Sequence, residues 1–309
     1  MNQDSSPFST PKPTAMLVSE AQVWALVRGM RPTQWVKNGV VLAPLVFGGK
    51  LLDPRAVADA VMAAFLFCLL SAGTYLINDV RDADADRRHP QKRMRPVAAG
   101  DLSPRWALVV GGSLIVGALA GSAMLGLSFL FVAITYAALM SAYNFGLKHL
   151  VVLDVFAIAT GFVLRAIAGA FAVDVSISPW LLVCTMLLAL LIGFGKRRHE
   201  LVSLPEARLH RRNLATYTRE MLDQAVAVTA AGTLLAYVAY SFETNNVIHD
   251  WRFMATAPIV AYGVFRYLVV LYGLGEGGEP ENLLVTDRGL LIAVVIWGAL
   301  CMALLYVAT

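Results

Sequence analysis

Charge is scarce in this sequence: Asp, Glu, Lys and Arg supply 15% of its 309 residues, while 58% are hydrophobic. Water-soluble chains carry about a quarter charged residues, so this composition, with a mean hydropathy of +0.65, belongs to an integral membrane protein. Cysteine is nearly missing. Cys68, Cys184 and Cys301 stand far apart inside apolar runs, which excludes a disulfide framework or thiolate metal site and leaves them as packing residues. The five histidines are scattered, so no His-based metal spacing exists, and there is neither a Gly-x-x-x-x-Gly-Lys phosphate loop nor a serine nucleophile elbow. Residues 1 to 20 lack the apolar stretch of a cleavable signal. Their Ser, Thr and Pro content predicts a disordered cytoplasmic tail over residues 1–22. The net charge of +4 would suggest nucleic acid in a soluble protein. Here the cations gather at the ends of apolar runs, which favours lipid phosphates and anionic substrates and argues against nucleic acid.

Nine mainly apolar segments are long enough to span a bilayer: about 35–51, 57–78, 105–125, 128–146, 151–172, 179–195, 223–242, 253–274 and 289–308. The first is the weakest, because Pro44 and several glycines interrupt it, and its loss would change the parity of the count. The cations argue for keeping it. With the N-terminus inside, twenty Lys and Arg fall on the inner side against Lys50, Arg55 and Arg252 outside, the distribution of the positive-inside rule. Both long hydrophilic loops, 79–104 and 196–222, then face the cytoplasm. Backbone polar groups in lipid must be satisfied within each segment, so the expected fold is all-α, a single nine-helix bundle over residues 23–309. Gly161, Ala168 and Gly169 in the fifth span offer sites for close helix approach.

The chemistry-bearing stretch is Asn78-Asp79-Val80-Arg81-Asp82-Ala83-Asp84-Ala85-Asp86, followed by Arg87-Arg88-His89-Pro90-Gln91-Lys92-Arg93-Met94-Arg95-Pro96. Asn78, Asp82 and Asp86 lie at i, i+4 and i+8, one face of a helix that continues past the membrane. Mg²⁺ favours a few carboxylate oxygens plus substrate phosphates, so this trio predicts a site for Mg²⁺ with a diphosphate. The alternative is a solvated loop whose charges pair among themselves. Asp154, near the inner start of the fifth span, is a candidate for a second metal position. Arg165 lies eleven residues deeper on nearly the same face, where a buried arginine costs a few kcal/mol. It contacts either a substrate phosphate or an internal ion-pair partner. Tyr75, one turn before Asn78, is placed to orient a ligand or to sit at the interface, and Lys148 faces the same rim. Gln34 and Lys37, in Arg31-Pro32-Thr33-Gln34-Trp35-Val36-Lys37-Asn38, suit the headgroup of a phospholipid or polyprenyl phosphate. Lys196 and Arg197 follow the sixth span directly; Arg266 in the eighth is close enough to the interface to snorkel.

Taken together, these motifs resemble the UbiA-type intramembrane prenyltransferases across residues 25–309. The carriers are Asn78-Asp79-x-x-Asp82-x-x-x-Asp86 after the second helix, Arg31-Pro32-x-Gln34-Trp35-Val36-Lys37-Asn38, Tyr75-Leu76-x-Asn78, His89-Pro90-x-Lys92-Arg93-x-Arg95-Pro96, Phe145-Gly146-Leu147-Lys148-His149, Arg165-Ala166-Ile167-Ala168-Gly169, Gly195-Lys196-Arg197 and Gly278-Glu279-Pro280-Glu281. The closer likeness is to the decaprenyl-phosphate phosphoribosyltransferase branch. That resemblance implies transfer of 5-phosphoribosyl from phosphoribosyl diphosphate (PRPP) to a polyprenyl phosphate in the bacterial inner membrane, for cell-envelope arabinan. It implies Mg²⁺ at Asn78, Asp82 and Asp86 as the catalytic group. PRPP would lie against Tyr75, Lys92, Lys148, Arg165, Lys196 and Arg197, and the lipid phosphate against Lys37 and Gln34. A homo-oligomer is compatible with it. The wider family has a second acidic motif with carboxylates four apart; here Asp154 is followed at that spacing by Ile158. The alternatives are a prenyltransferase joining a polyprenyl diphosphate to an aromatic acceptor, and an anionic-lipid transporter.

Overall fold

The computed structural model describes residues 20–203, 212–242, 251–275, 278, 283 and 286–306. Most of the expected N-terminal tail and the Glu279-Pro280-Glu281 turn lie outside them. The tail's expected end does not hold, because Glu20 already opens helix α1 (Glu20–Met30). The described residues form an all-helical bundle in which eight helices are long and apolar enough to cross a membrane. They are α3 (Pro54–Arg87), α5 (Pro104–Ser122), α6 (Leu127–Phe145), α7 (Leu153–Ala172), α8 (Pro179–Ser203), α9 (Arg219–Phe242), α10 (Ala257–Val269), which crosses only with its flanking helical turns, together Arg252–Leu274, and α11 (Arg288–Tyr306). A 3-10 turn precedes α10 and a π turn, Val270–Leu274, extends it. Two short helices, α2 (Ala43–Phe47) and α4 (Pro96–Ala99), complete the set.

The first expected span differs from the others. Pro32–Leu42 is a 3-10 helix entered through Arg31 in the left-handed region (φ 53), and α2 follows it directly. Pro44 stands in the first turn of α2, where its missing N–H is tolerated, and marks the break between the two pieces. A 3-10 helix rises about 2.0 Å per residue against 1.5 Å in an α-helix, so the two pieces together extend about 30 Å, the depth of a hydrocarbon core. Of the nine expected spans, eight are thus helices long and apolar enough to cross a membrane, and the first is a broken 3-10 and α segment of comparable extent. It packs between α3 and α7, where Val41 joins Ala63, Leu66, Phe67 and Ala168 in one apolar cluster.

Helix α3 determines where the polar residues stand. Pro54 occupies its first turn, and the Asp53 side chain caps it by accepting from the N–H groups of Arg55 and Ala56. Its 34 residues extend about 51 Å, some 20 Å more than the apolar core requires. The surplus carries Asn78 to Asp86 beyond the membrane as helix, as the spacing predicts. A second apolar cluster, built from Leu191, Leu222, Val226 and Leu271, joins α8, α9 and the end of α10. The outer surface remains apolar, with Phe131, Val228 and Val295 exposed, as lipid contact demands.

Close backbone approach fixes the helix pairs. At Gly169 an added methyl group would lie 2.0 Å from the Val41 carbonyl oxygen, and at Gly73 it would lie 2.6 Å from that of Gly111. Gly169→Ala must therefore push α7 away from the 3-10 segment, an overpacking cost of about 1–3 kcal/mol. The expected result is a lower thermal midpoint in detergent; an unchanged midpoint would disprove the contact.

Candidate active site

At about 100° per residue, Asn78, Asp82, Asp86 and Asp79 spread in that order across an arc of about 100° on α3. The arriving cations divide this arc. Lys148, in a one-turn 3-10 helix between α6 and α7, places its Nζ 2.7 and 2.8 Å from the two Asp82 oxygens and 3.4 Å from Asn78 Oδ1. On the other side Arg95 donates to Asp86 at 2.7 Å and lies 3.4 Å from Asp79 Oδ1, to which Arg31 also donates. Asp79 and Asp86 are almost fully buried, whereas Asp82 is partly exposed. Of the predicted trio, Asn78 and Asp82 thus share Lys148, while Asp86 meets Arg95 beside Asp79.

Arg31 and Arg95 are the residues the spacing argument missed as partners of this cluster. Arg31 reaches it because its backbone turns left-handed before Pro32, and Tyr75 lies beneath its guanidinium, 4.9 Å from ring centroid to Cζ. Tyr75 therefore stands on the Arg31 side of α3. Burial pushes the Arg31 guanidinium below its ordinary value, and the Asp79 carboxylate opposes that shift. Lys92 is partly buried in the loop leading to Arg95. Gln34 and Lys37 meet as predicted, since residues three apart eclipse in a 3-10 helix, and Lys37 donates to the Gln34 side chain.

Asp154 and Arg197 form a different cluster. Asp154 is fully buried at the start of α7 and accepts from Arg197 Nε at 2.7 Å and from the Tyr217 hydroxyl at 3.1 Å. Arg197 Nη1 also donates to Glu200 at 2.9 Å. The expected second metal position is therefore filled by a guanidinium, and Arg197 faces Asp154 instead of an open anion site. Lys196, beside it, is partly exposed and makes no ion pair among the described residues. The Tyr217 hydroxyl also accepts from Val152 N at 2.6 Å. Val152 has φ 69, a strained value for a β-branched residue, four residues after Lys148. Burial and the Asp154 carboxylate push the Tyr217 phenol up to about 12, so the proton that bridges to Asp154 stays in place at neutral pH.

Arg165 is held by neutral groups. Its Nε donates to Asn38 Oδ1 at 2.8 Å, Nη1 to the Gly161 carbonyl at 3.0 Å and Nη2 to the Tyr136 hydroxyl at 2.7 Å, with Ser71 within 3.4 Å of both Asn38 and Tyr136. Among the described residues no carboxylate pairs with it. Ser71 stands seven residues before Asn78 on α3, about 10 Å deeper, so this hub lies below the acidic rim and ties together the 3-10 segment, α3, α6 and α7. Arg266 forms a two-pronged pair with Asp287, at 2.7 and 3.0 Å, at the start of α11.

This bundle of apolar helices with an amide–carboxylate pair at the end of an overlong second span matches the UbiA prenyltransferase family over residues 41–267, and the chain belongs to that family. It is 37% identical over 292 residues to the decaprenyl-phosphate phosphoribosyltransferase of Mycobacterium tuberculosis, covering 93% of this chain and 94% of that protein. It is 37% identical over 314 residues to the protein of that name from Mycolicibacterium smegmatis, covering 96% and 95%. In fold it is similar to a UbiA homolog from Archaeoglobus fulgidus bound to GPP and Mg²⁺, with a TM-score of 0.72 at 18% identity over 91% of this chain and 99% of that one.

Asp154→Asn separates the two roles of that residue. It removes the fully buried charge partner of Arg197, which keeps only the partly exposed Glu200, so a fall in the unfolding midpoint is expected with and without Mg²⁺. A variant of normal stability whose divalent-ion affinity alone is reduced would restore the metal-ligand assignment.

Proposed function

We propose that this chain transfers the 5-phosphoribosyl group of PRPP to a membrane polyprenyl phosphate, at the cytoplasmic face of a bacterial inner membrane. The products are polyprenyl-phosphoryl-5-phosphoribose and diphosphate. The observation that carries the reading is likeness to decaprenyl-phosphate phosphoribosyltransferases along nearly their whole length. The geometry supports it, since Asp154 is tied to Arg197 and, among the described residues, no second open carboxylate cluster matches the first. An enzyme that ionises a prenyl diphosphate between two metal clusters needs one.

A divalent ion fits the donor set of Asn78 and Asp82. Three oxygens already converge on one ammonium group within 2.7 to 3.4 Å, so the position is built for positive charge and hard oxygen ligation. When bound there, Mg²⁺ would neutralise charge that gathers on the diphosphate as it leaves. Lys148, released from Asp82 by such an ion, would add its positive charge beside the diphosphate. An oxygen of the acceptor phosphate attacks the anomeric carbon, the bond from that carbon to the diphosphate breaks, and the diphosphate leaves with the electron pair. The acceptor is already an anion, so no strong general base is required; catalysis rests on position and charge. Gln34 and Lys37 hold the acceptor headgroup at the membrane edge. A single displacement inverts the anomeric centre, and a product that keeps the donor's configuration would contradict it.

The deciding assay follows radiolabel from PRPP into the organic phase with purified protein, Mg²⁺ and polyprenyl phosphate. Lipid-dependent transfer abolished by EDTA is expected. Release of diphosphate from a prenyl diphosphate instead would favour the aromatic prenyltransferase, and movement of lipid between vesicle leaflets without donor consumption a transporter. Lys148→Met tests the shared position directly. Removing the competing ammonium should tighten Mn²⁺ binding measured by electron paramagnetic resonance while turnover falls at least tenfold; unchanged Mn²⁺ affinity would show that lysine and metal do not share those oxygens.

A further inference from the structure

Lys148 owes its place to a turn that is pinned at both ends. On the entry side Arg81 of α3 donates from Nη2 to the Phe145 carbonyl at 3.1 Å, with its guanidinium 4.2 Å from the Phe145 ring centroid. On the exit side the chain enters α7 through Val152, whose φ of 69 and ψ of −49 come with a hydrogen bond from the Leu153 N–H to the Val151 carbonyl at 2.8 Å. That is the strained form of the γ-turn, which a β-branched residue adopts only where its surroundings impose it. The imposing contact comes from far along the chain. The Val152 N–H donates to the Tyr217 hydroxyl at 2.6 Å, and that hydroxyl donates to Asp154 Oδ1 at 3.1 Å. Tyr217 is itself anchored, because it and Leu214 are buried in the apolar cluster that joins α8, α9 and the end of α10. The 3-10 turn Arg212–Ala215 also packs against the turn of Lys148. Val151 packs on that cluster, whereas Val152 belongs to none of the apolar clusters among the described residues, so packing of its own side chain does not explain its conformation.

We propose that Tyr217 is a positioning residue: its hydroxyl holds Val152 in the strained turn and thereby fixes where the Lys148 ammonium meets Asn78 and Asp82. The path between them is short and stiff. The Leu150 N–H donates to the Leu147 carbonyl at 3.0 Å and the Asp154 N–H to the Leu150 carbonyl at 3.0 Å, so a relaxation at Val152 reaches the lysine through hydrogen-bonded links. Phenylalanine in place of Tyr217 would leave the Val152 N–H facing a hydrocarbon ring, and Val152 would relax toward an ordinary φ. A displacement of Lys148 by about an ångström is enough to matter, since charge stabilisation of a leaving group depends steeply on placement. That kinetic consequence rests on the phosphoribosyl reading above; the placement of Lys148 does not.

Tyr217→Phe removes the hydroxyl and keeps the buried ring, and Val152→Gly lets the same turn form without strain. The first should displace Lys148, and the second, added to it, should return the lysine to its place. Full-length protein without added metal is treated with acetic anhydride, and peptide mass spectrometry compares acetylation of Lys148 with that of Lys50, which precedes the other end of α3. An ammonium paired with Asp82 is shielded, so Tyr217→Phe should raise the Lys148-to-Lys50 ratio at least about threefold, and the double variant should restore the wild-type ratio. An unchanged ratio in Tyr217→Phe, or a raised one that Val152→Gly leaves raised, overturns the proposal, because a hydroxyl that only stabilises the bundle through Asp154 gains nothing from this glycine. If Tyr217→Phe does not fold, the double variant decides: labelling as in the wild type supports the proposal, and any other result overturns it. In the transfer assay Tyr217→Phe should lower kcat at least about tenfold with the KM for PRPP within about twofold of wild type, and the double variant should regain most of kcat. Unchanged kcat beside a raised ratio would also overturn it. If the wild type transfers no phosphoribosyl group at all, the proposed function fails instead, and the labelling still judges Tyr217.

Discussion

The rim of this protein depends on charge carried past the membrane by one helix. Helix α3 is about 20 Å longer than the apolar core requires, and its surplus bears Asp79, Asp82, Asp84 and Asp86. Two of these are buried, which is tolerable only with cations at hydrogen-bond distance. Arg31 from before the 3-10 segment, Arg95 from the loop after α3 and Lys148 from the turn before α7 supply them. Three chain segments distant in sequence are thereby drawn onto one helix end. The site is a consequence of satisfying those carboxylates.

Below the rim the same constraint is met in two other ways. Asp154 and Arg197 neutralise each other in the apolar interior, with Glu200 and Tyr217 completing their hydrogen bonds. Arg165 has no acid beside it and is held by an amide, a phenol and a main-chain carbonyl. Both arrangements join helices without any hydrophobic drive between them, which lipid-embedded helices lack. The strained turn at Val152, fixed by Tyr217, sits between Asp154 and Lys148. A loop on the far side of the sequence thus sets the geometry of the turn that carries the rim lysine.

One fold can host several transfers, and the fold alone does not choose among them. The likeness to a solved UbiA homolog bound to GPP concerns architecture. In this rim the two acidic positions meet different cations: Asn78 and Asp82 share the Lys148 ammonium, while Asp154 is bound by the Arg197 guanidinium. A cavity lined by Arg28, Arg31, Lys92 and Arg95 lies beside Asp79.

By itself, the sequence determined that the chain is a membrane-embedded helical bundle, because apolar run length and backbone satisfaction in lipid admit little else. It also determined that α3 continues as helix through Asp86 and that Gln34 lies beside Lys37, since both depend only on local periodicity. It could not show that the first span breaks into a 3-10 helix and a short α-helix, because the α and 3-10 readings of a short apolar run share one pattern. Nor could it divide Asn78 and Asp82 from Asp79 and Asp86. Those residues share one arc of about 100° on α3, and the choice between them was made by where Lys148 and Arg95 arrive. The fates of Asp154, Arg197 and Arg165 were likewise tertiary decisions: a lone charge in an apolar run demands a partner, but which partner it finds depends on helices that meet only in three dimensions.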